Sequence, residues 1–149
     1  MARDVDIVTE TVIRRPPAEV AAYAGDPVNA PEWYANIKSV DWRTPPPMAL
    51  GSEIAFVAAF LGRQLSYTYE IADLEPGRRL VMRTTDGPFP METTYTWEPT
   101  DDGATRMTLR NRGRPTGFAS EAGPMMAAAM RRANTADLAR LKELLESRA

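Results

Sequence analysis

The residues Gly123-Pro124-Met125-Met126-Ala127-Ala128-Ala129-Met130, running on to Leu141-Lys142-Glu143-Leu144-Leu145-Glu146, decide the fold. Proline in a first helical turn gives up only an N–H that has no partner there, so Gly123-Pro124 reads as a helix start. Nothing breaks the pattern from Pro124 to Ser147, which predicts one helix of roughly 36 Å at about 1.5 Å per residue. Met126, Met130, Ala133, Leu141 and Leu144 fall on one side of it, with Ala129 and Leu145 at the margins. Met and Ala fill the N-terminal half of this stripe, and Leu the C-terminal half. Methionine adapts to irregular surfaces, so the first half suits either loose core or the wall of a pocket.

Asp137 lies near the centre of that stripe with Asn134 beside it. A carboxylate there must be paired, shifted in pKa or close to water. Three readings stay open: an ion pair with an arginine from a neighbouring strand, exposure where the helix leaves the sheet, or an acid/base or polar anchor at one end of a cavity.

Upstream, the chain reads mostly as strands. Val5 to Ile13 is rich in β-branched residues and partly alternates, which predicts the first strand. Pro16-Pro17 opens a short helix over Ala18 to Ala24, and a second turn carries Pro31-Glu32-Trp33-Tyr34. Six further strands are expected over 37–43, 53–61, 64–73, 79–85, 91–98 and 105–112, separated by Gly-, Pro- and Asp-containing turns. This order predicts an α+β arrangement: a curved antiparallel seven-stranded sheet, two short helices, and a long C-terminal helix closing a cavity on the concave side. No internal repeat or linker interrupts it, so residues 1–149 are expected to form a single domain.

Composition narrows the chemistry. The chain has no Cys and no His, which excludes thiolate nucleophiles, zinc–thiolate sites and the commonest general base. The net charge of −2 gives no bulk electrostatic reason to expect a nucleic-acid partner. No run reaches the ~18 apolar residues of a membrane span, and the first residues carry no apolar leader. Neither metal nor cofactor is expected, and the expected location is cytoplasmic.

Six stretches, in order, resemble one family along nearly the whole chain. They are Ile13-Arg14-Arg15-Pro16-Pro17-Ala18-Glu19-Val20, Asp26-Pro27-Val28-Asn29-Ala30-Pro31-Glu32-Trp33, Leu50-Gly51-Ser52, Leu74-Glu75-Pro76-Gly77-Arg78-Arg79-Leu80-Val81, Gly103-Ala104-Thr105-Arg106-Met107 and Leu141-Lys142-Glu143-Leu144-Leu145-Glu146. Together they resemble the START/Bet v 1-like helix-grip (SRPBCC) proteins, in particular the bacterial polyketide cyclase/dehydrase group. The resemblance implies the helix-grip fold and a range of roles: aromatase/cyclases, carriers of lipids and other hydrophobic molecules, and co-chaperones. It also implies an inward arginine in the aromatase/cyclases, on the strand after the Gly62-Arg63 hairpin. The matching inward positions here are Tyr67, Tyr69 and Ile71.

Alternation along the strands assigns an inner face. It holds Ile54, Phe56, Ala58 and Phe60, then Leu65, Tyr67, Tyr69 and Ile71, then Leu80, Met82 and Thr84. Met91, Thr93, Tyr95 and Trp97 follow, with Met107, Leu109 and Asn111. Inward hydroxyls need partners: each other, water or a ligand. The expected ligand-binding residues are Trp33, Phe56, Tyr67, Tyr69, Met82, Met91, Tyr95, Asn111, Met126, Met130 and Asn134, with Tyr67, Tyr95 and Asp137 as candidate catalytic groups. Phe89 and Phe118 are expected near the mouth, while Arg63, Arg83, Arg110 and Arg112 are expected at the surface or rim.

The expected function is binding of a small hydrophobic, partly oxygenated, lipid- or polyketide-like molecule. The alternatives are a polyketide aromatase/cyclase-type enzyme and a protein-interaction, co-chaperone-like module. Ala55, Val57, Ala59 and Leu61, on the other face of their strand, support that last reading or a homodimer contact.

Overall fold

A computed structural model describes residues 4–60, 62–114 and 123–148; Leu61 and Phe118 lie outside the described residues, as does the side chain of Phe60. Strand β1 (Val5–Ile13) leads into α1 (Pro17–Ala24), a 3-10 turn (Pro27–Asn29) and α2 (Ala30–Trp33). Strands β2 (Ile37–Trp42), β3 (Glu53–Phe60), β4 (Arg63–Glu75), β5 (Arg79–Asp86), β6 (Met91–Pro99) and β7 (Thr105–Gly113) follow, then α3 (Gly123–Glu146). The strands form one antiparallel sheet in the order β1-β7-β6-β5-β4-β3-β2. This is the helix-grip architecture expected from the sequence.

The sheet bends where the ladder slips. β4 and β5 fall out of register between Thr68 and Tyr69 and again between Ile71 and Asp73, and such irregularities increase local twist and curl a strand. Alternation survives the bends. Ile54, Phe56, Ala58, Tyr69, Ile71, Leu80, Met82, Tyr95, Trp97, Met107 and Leu109 are all buried on the concave face. Ala55, Val57 and Ala59 lie on the opposite face, half-buried.

Helix α3 lies across the concavity and along β1. Its buried residues are Met126, Met130, Asn134, Asp137, Leu138, Leu141 and Leu145. The stripe is therefore rotated from the expected one: Leu141 sits at its centre, Leu145 is fully buried, Leu138 joins it, and Leu144 is only half-buried. Leu144 drew the expected stripe toward it because it is apolar, while Ala133 lines the inner space and Asp137 and Asn134, expected at and beside the centre of the stripe, do turn inward.

Two apolar clusters result. The larger joins Ile13, Val20, Trp33, Ile54, Leu80, Met107, Leu138, Leu141 and Leu145, so the C-terminal half of α3 packs as ordinary core. The smaller gathers Val5, Ile7, Phe89, Met126 and Met130 at the other end. Polar side chains of α3 also close the free margin of β1. Arg131 donates to the Val8 carbonyl at 3.5 Å and Lys142 to the Val12 carbonyl at 2.6 Å. Glu146 accepts the Arg14 N–H at 2.8 Å.

The elbow formed by α1, the 3-10 turn and α2 is pinned from several sides. The Asp26 carboxylate accepts the Val28 N–H at 3.1 Å, which caps the 3-10 turn. The Tyr23 hydroxyl donates to the Glu32 carboxylate. Trp33, fully buried, packs its ring at a tilt with centroids 4.1 Å from Tyr34 and 5.9 Å from Tyr95. That packing aims Tyr34 across toward the sheet.

Candidate functional site

Between the two clusters the sheet and α3 do not meet, leaving a chamber of about 140 Å³. An apolar cavity of about 150 Å³ accommodates benzene, so the chamber as it stands suits a body of one ring. Its walls are built by alternation: Phe56 and Ala58 from β3, Leu65, Tyr67 and Tyr69 from β4, Met82 and Thr84 from β5, and Met91, Thr93 and Tyr95 from β6. Asn111 comes from β7, and Met130, Ala133, Asn134 and Asp137 from α3. Tyr34, Asn36 and Ile37 close it from the elbow side, and Pro88 and Phe89 from the β5–β6 loop.

Most of the expected ligand-contacting residues are thus brought together around one space. Trp33 and Met126 are not. Trp33 is 0% exposed and packs its rings against Tyr34 and Tyr95, while Met126 is 0% exposed within the smaller cluster. Both are packing residues behind the wall. Tyr34, Asn36 and Phe89 join the lining with hardly a periodic signal in the sequence, because each sits in a short turn or loop. The prolines flanking Phe89 are the one visible cue, since they hold it in a fixed loop.

The polar groups fall into two sets. One is a chain across the sheet and onto α3. Asn134 Nδ2 donates to Asn111 Oδ1 at 2.6 Å, and Asn111 Nδ2 donates to Thr93 Oγ1 at 2.9 Å. The Thr93 and Tyr69 hydroxyls lie 3.1 Å apart. Bonds linked in series polarise one another, so the chain holds its side chains in one arrangement.

The second set is at the elbow. The Tyr34 and Tyr95 hydroxyls are 2.5 Å apart, and the Ala35 N–H donates to Asp137 Oδ1 at 3.1 Å. No arginine or lysine among the described residues pairs with Asp137, so the ion-pair reading of that carboxylate is replaced by a neutral backbone donor. Burial pushes the Asp137 carboxyl up to about 6, opposed in part by the Ala35 N–H.

The phenols respond to the same burial by holding their protons more tightly. Tyr67 is pushed up to about 12 by burial alone. Burial also raises Tyr34, Tyr69 and Tyr95. All four are therefore protonated at neutral pH, and in the Tyr34–Tyr95 pair one hydroxyl donates to the other. The Tyr67 hydroxyl has no hydrogen-bond partner among the described residues, which leaves it free for a ligand. Arg83 and Arg112, by contrast, are exposed on the outer face and pair with Glu92, and Arg110 pairs with Asp6.

A broader surface depression of about 690 Å³ lies between α1, the Pro46-Pro47 turn and the β4–β5 turn. It is larger but less suited to recognition. Its acidic groups are engaged within the fold, Asp26 with the Val28 N–H and Glu75 with Arg78 and Arg79. The internal chamber, with hydroxyls and a carboxylate converging on one space, is the better candidate.

A curved antiparallel sheet gripping a long helix around a polar-edged chamber defines the START/Bet v 1 class of fold. The chain matches the family model described as "Polyketide cyclase / dehydrase and lipid transport" over residues 4–146, and it belongs to that family. Among solved structures, a protein from Thermus thermophilus is similar at a TM-score of 0.82 and 19% identity, covering 96% of this chain and 99% of that one. The Zhui aromatase/cyclase from Streptomyces sp. R1128 is similar at 0.80 and 18%, covering 97% and 94%. A START superfamily protein from Mycobacterium smegmatis is similar at 0.73 and 13%, covering 95% and 94%. At these identities the likeness is one of fold. No curated protein matches the chain.

Proposed function

We propose that the protein binds a small, largely apolar molecule with polar substituents inside the chamber between α3 and the sheet. One observation carries this reading: an aromatic-walled space holds an ordered polar chain, a free Tyr67 hydroxyl and a carboxylate on its lining. A space meant only to be filled gains nothing from buried polar groups, which cost free energy unless satisfied. Membership of a family of cyclases, dehydrases and lipid transporters supports the same reading. The test is native mass spectrometry on protein purified without detergent, followed by denaturation and analysis of the released molecules. A stoichiometric adduct lost on denaturation supports the proposal. A bare mass from several expression hosts, with no uptake from a panel of one-ring apolar compounds, overturns it.

A second reading is an aromatase/cyclase-type enzyme. The observation favouring it is the placement of Asp137, whose carboxyl burial pushes up to about 6, among the protonated phenols of Tyr34 and Tyr95. Such a pair of environments separates an acid from a base. Conversion of a poly-β-ketone thioester, lost in Asp137→Asn, would support it; unaltered turnover in Asp137→Asn would remove it.

A further inference from the structure

Two hydrogen-bond acceptors on one face of α3 meet the chamber with no donor left for them. Asp137 is 3% exposed, and its one hydrogen bond, from the Ala35 N–H, goes to Oδ1. Asn134 is 6% exposed and commits its amide N–H to Asn111, which leaves its own Oδ1 without a donor among the described residues. Residues three apart on a helix share a face, and both line the chamber.

The charge of Asp137 is also unanswered. The groups that face it from the elbow and from β6 are the phenols Tyr34 and Tyr95. The cations on the flanking segments turn elsewhere: Lys38 Nζ donates to the Ala35 carbonyl at 3.2 Å, and Arg140 Nε to the Glu32 carbonyl at 2.7 Å. A buried anion without a cation is costly, and a ligand bringing the cation recovers that cost.

The rest of the wall agrees. Tyr34, Tyr67, Tyr69, Tyr95 and Phe56 present aromatic rings to the same space, and ring faces attract cations. A ligand hydroxyl would supply one proton and no charge. A primary ammonium supplies three protons and a charge, against two free acceptors, one of them on a carboxylate, and aromatic walls. We propose that the chamber selects a small molecule with a protonated primary amine on a body of about one ring, its ammonium seated between Asp137 and Asn134. This rests on the reading of the chamber as a ligand site, and it adds the chemical class of the ligand's polar end.

The test compares two probes of nearly the same shape, 2-phenylethylamine and 2-phenylethanol, by isothermal titration calorimetry on the full chain at pH 7.5. The amine is expected to bind at least roughly tenfold more tightly than the alcohol. In Asp137→Asn, confirmed as folded by circular dichroism, the amine-to-alcohol ratio should fall close to one. If that variant does not fold, Asn134→Leu takes its place and should lower the ratio several-fold. Equal or tighter binding of the alcohol to the parent protein overturns the amine proposal, yet leaves the chamber a ligand site. Amine preference unchanged in a folded Asp137→Asn overturns it too. If neither probe binds, the amine proposal falls, and the native mass spectrum decides separately whether the chamber binds anything.

Discussion

The Asp137 carboxylate and the Ala35 amide meet at 3.1 Å, tying the middle of α3 to the end of the elbow through a buried anion and a neutral donor. The unfolded chain releases this proton near the ordinary 3.8, whereas the folded chain holds it up to about 6. Between those values the folded state binds more protons, so stability falls as pH rises through that window and then levels off. Asp137→Asn keeps an acceptor for Ala35 and removes the charge. Its gain should be absent below about pH 4 and reach about 1–2 kcal/mol above pH 6, once chamber water has screened part of the cost. Urea unfolding at pH 4, 5, 6 and 7.5 reads this directly, and a pH-independent difference would contradict it.

Thr93 is the middle of the polar chain, bonded on one side to Asn111 and on the other to Tyr69. Thr93→Val keeps the shape and strands both neighbours, so it should cost about 2 kcal/mol. Thr94→Val, the next position on β6 and on the other face of the sheet, should stay within about 0.5 kcal/mol. Chemical denaturation of the two variants, side by side, checks the contrast.

The two ends of α3 should respond differently to truncation. Leu141, fully buried in the larger cluster, leaves a closed cavity when cut back, so Leu141→Ala should cost about 3–4 kcal/mol. Met130 already borders the chamber, and its removal enlarges a space that water can enter. Met130→Ala should cost about 1–2 kcal/mol and admit bulkier one-ring probes. Equilibrium unfolding and probe titration measure the two effects.

Gly87 lets the β5–β6 loop pass against Tyr67: a Cβ placed there would stand 2.8 Å from the Tyr67 Cβ. That contact is with the root of the tyrosine, which cannot swing away. Gly87→Ala should therefore destabilise by about 1–3 kcal/mol and displace Tyr67 within the chamber wall. A lowered melting temperature together with weakened probe binding is the expected pair of results.

The fold was legible because its signals are local and repeated. Strands from Val5 to Gly113 alternate, turns carry Gly, Pro or Asp, and the parity that hides Phe56, Tyr69, Met82 and Tyr95 can be read residue by residue. The chamber was legible only where it is made of strands. Tyr34 and Phe89 come from short segments with no period, so their inward placement depends on packing of the elbow and loop. Helix α3 was legible except in the rotation of its inner stripe. A wheel weighted by hydrophobicity favours Leu144 over Leu138, whereas Asn134 and Asp137 turn inward as the wheel placed them, because part of the inner face borders a polar-edged space rather than core. The unpaired state of Asp137 had no sequence signature, since an arginine on any neighbouring strand would have given the same pattern.

The contacts of Arg131, Lys142 and Glu146 along β1 bear on how copies of this chain meet. An unpaired strand margin is a template on which another strand can add, and long flat margins invite edge-to-edge pairing of sheets. Here one margin is occupied by side chains of the chain's own last helix. The other, β2, is six residues long and slips register between Ile37 and Ser39. The element that roofs the chamber thus also covers one of the two margins along which the sheet could be extended.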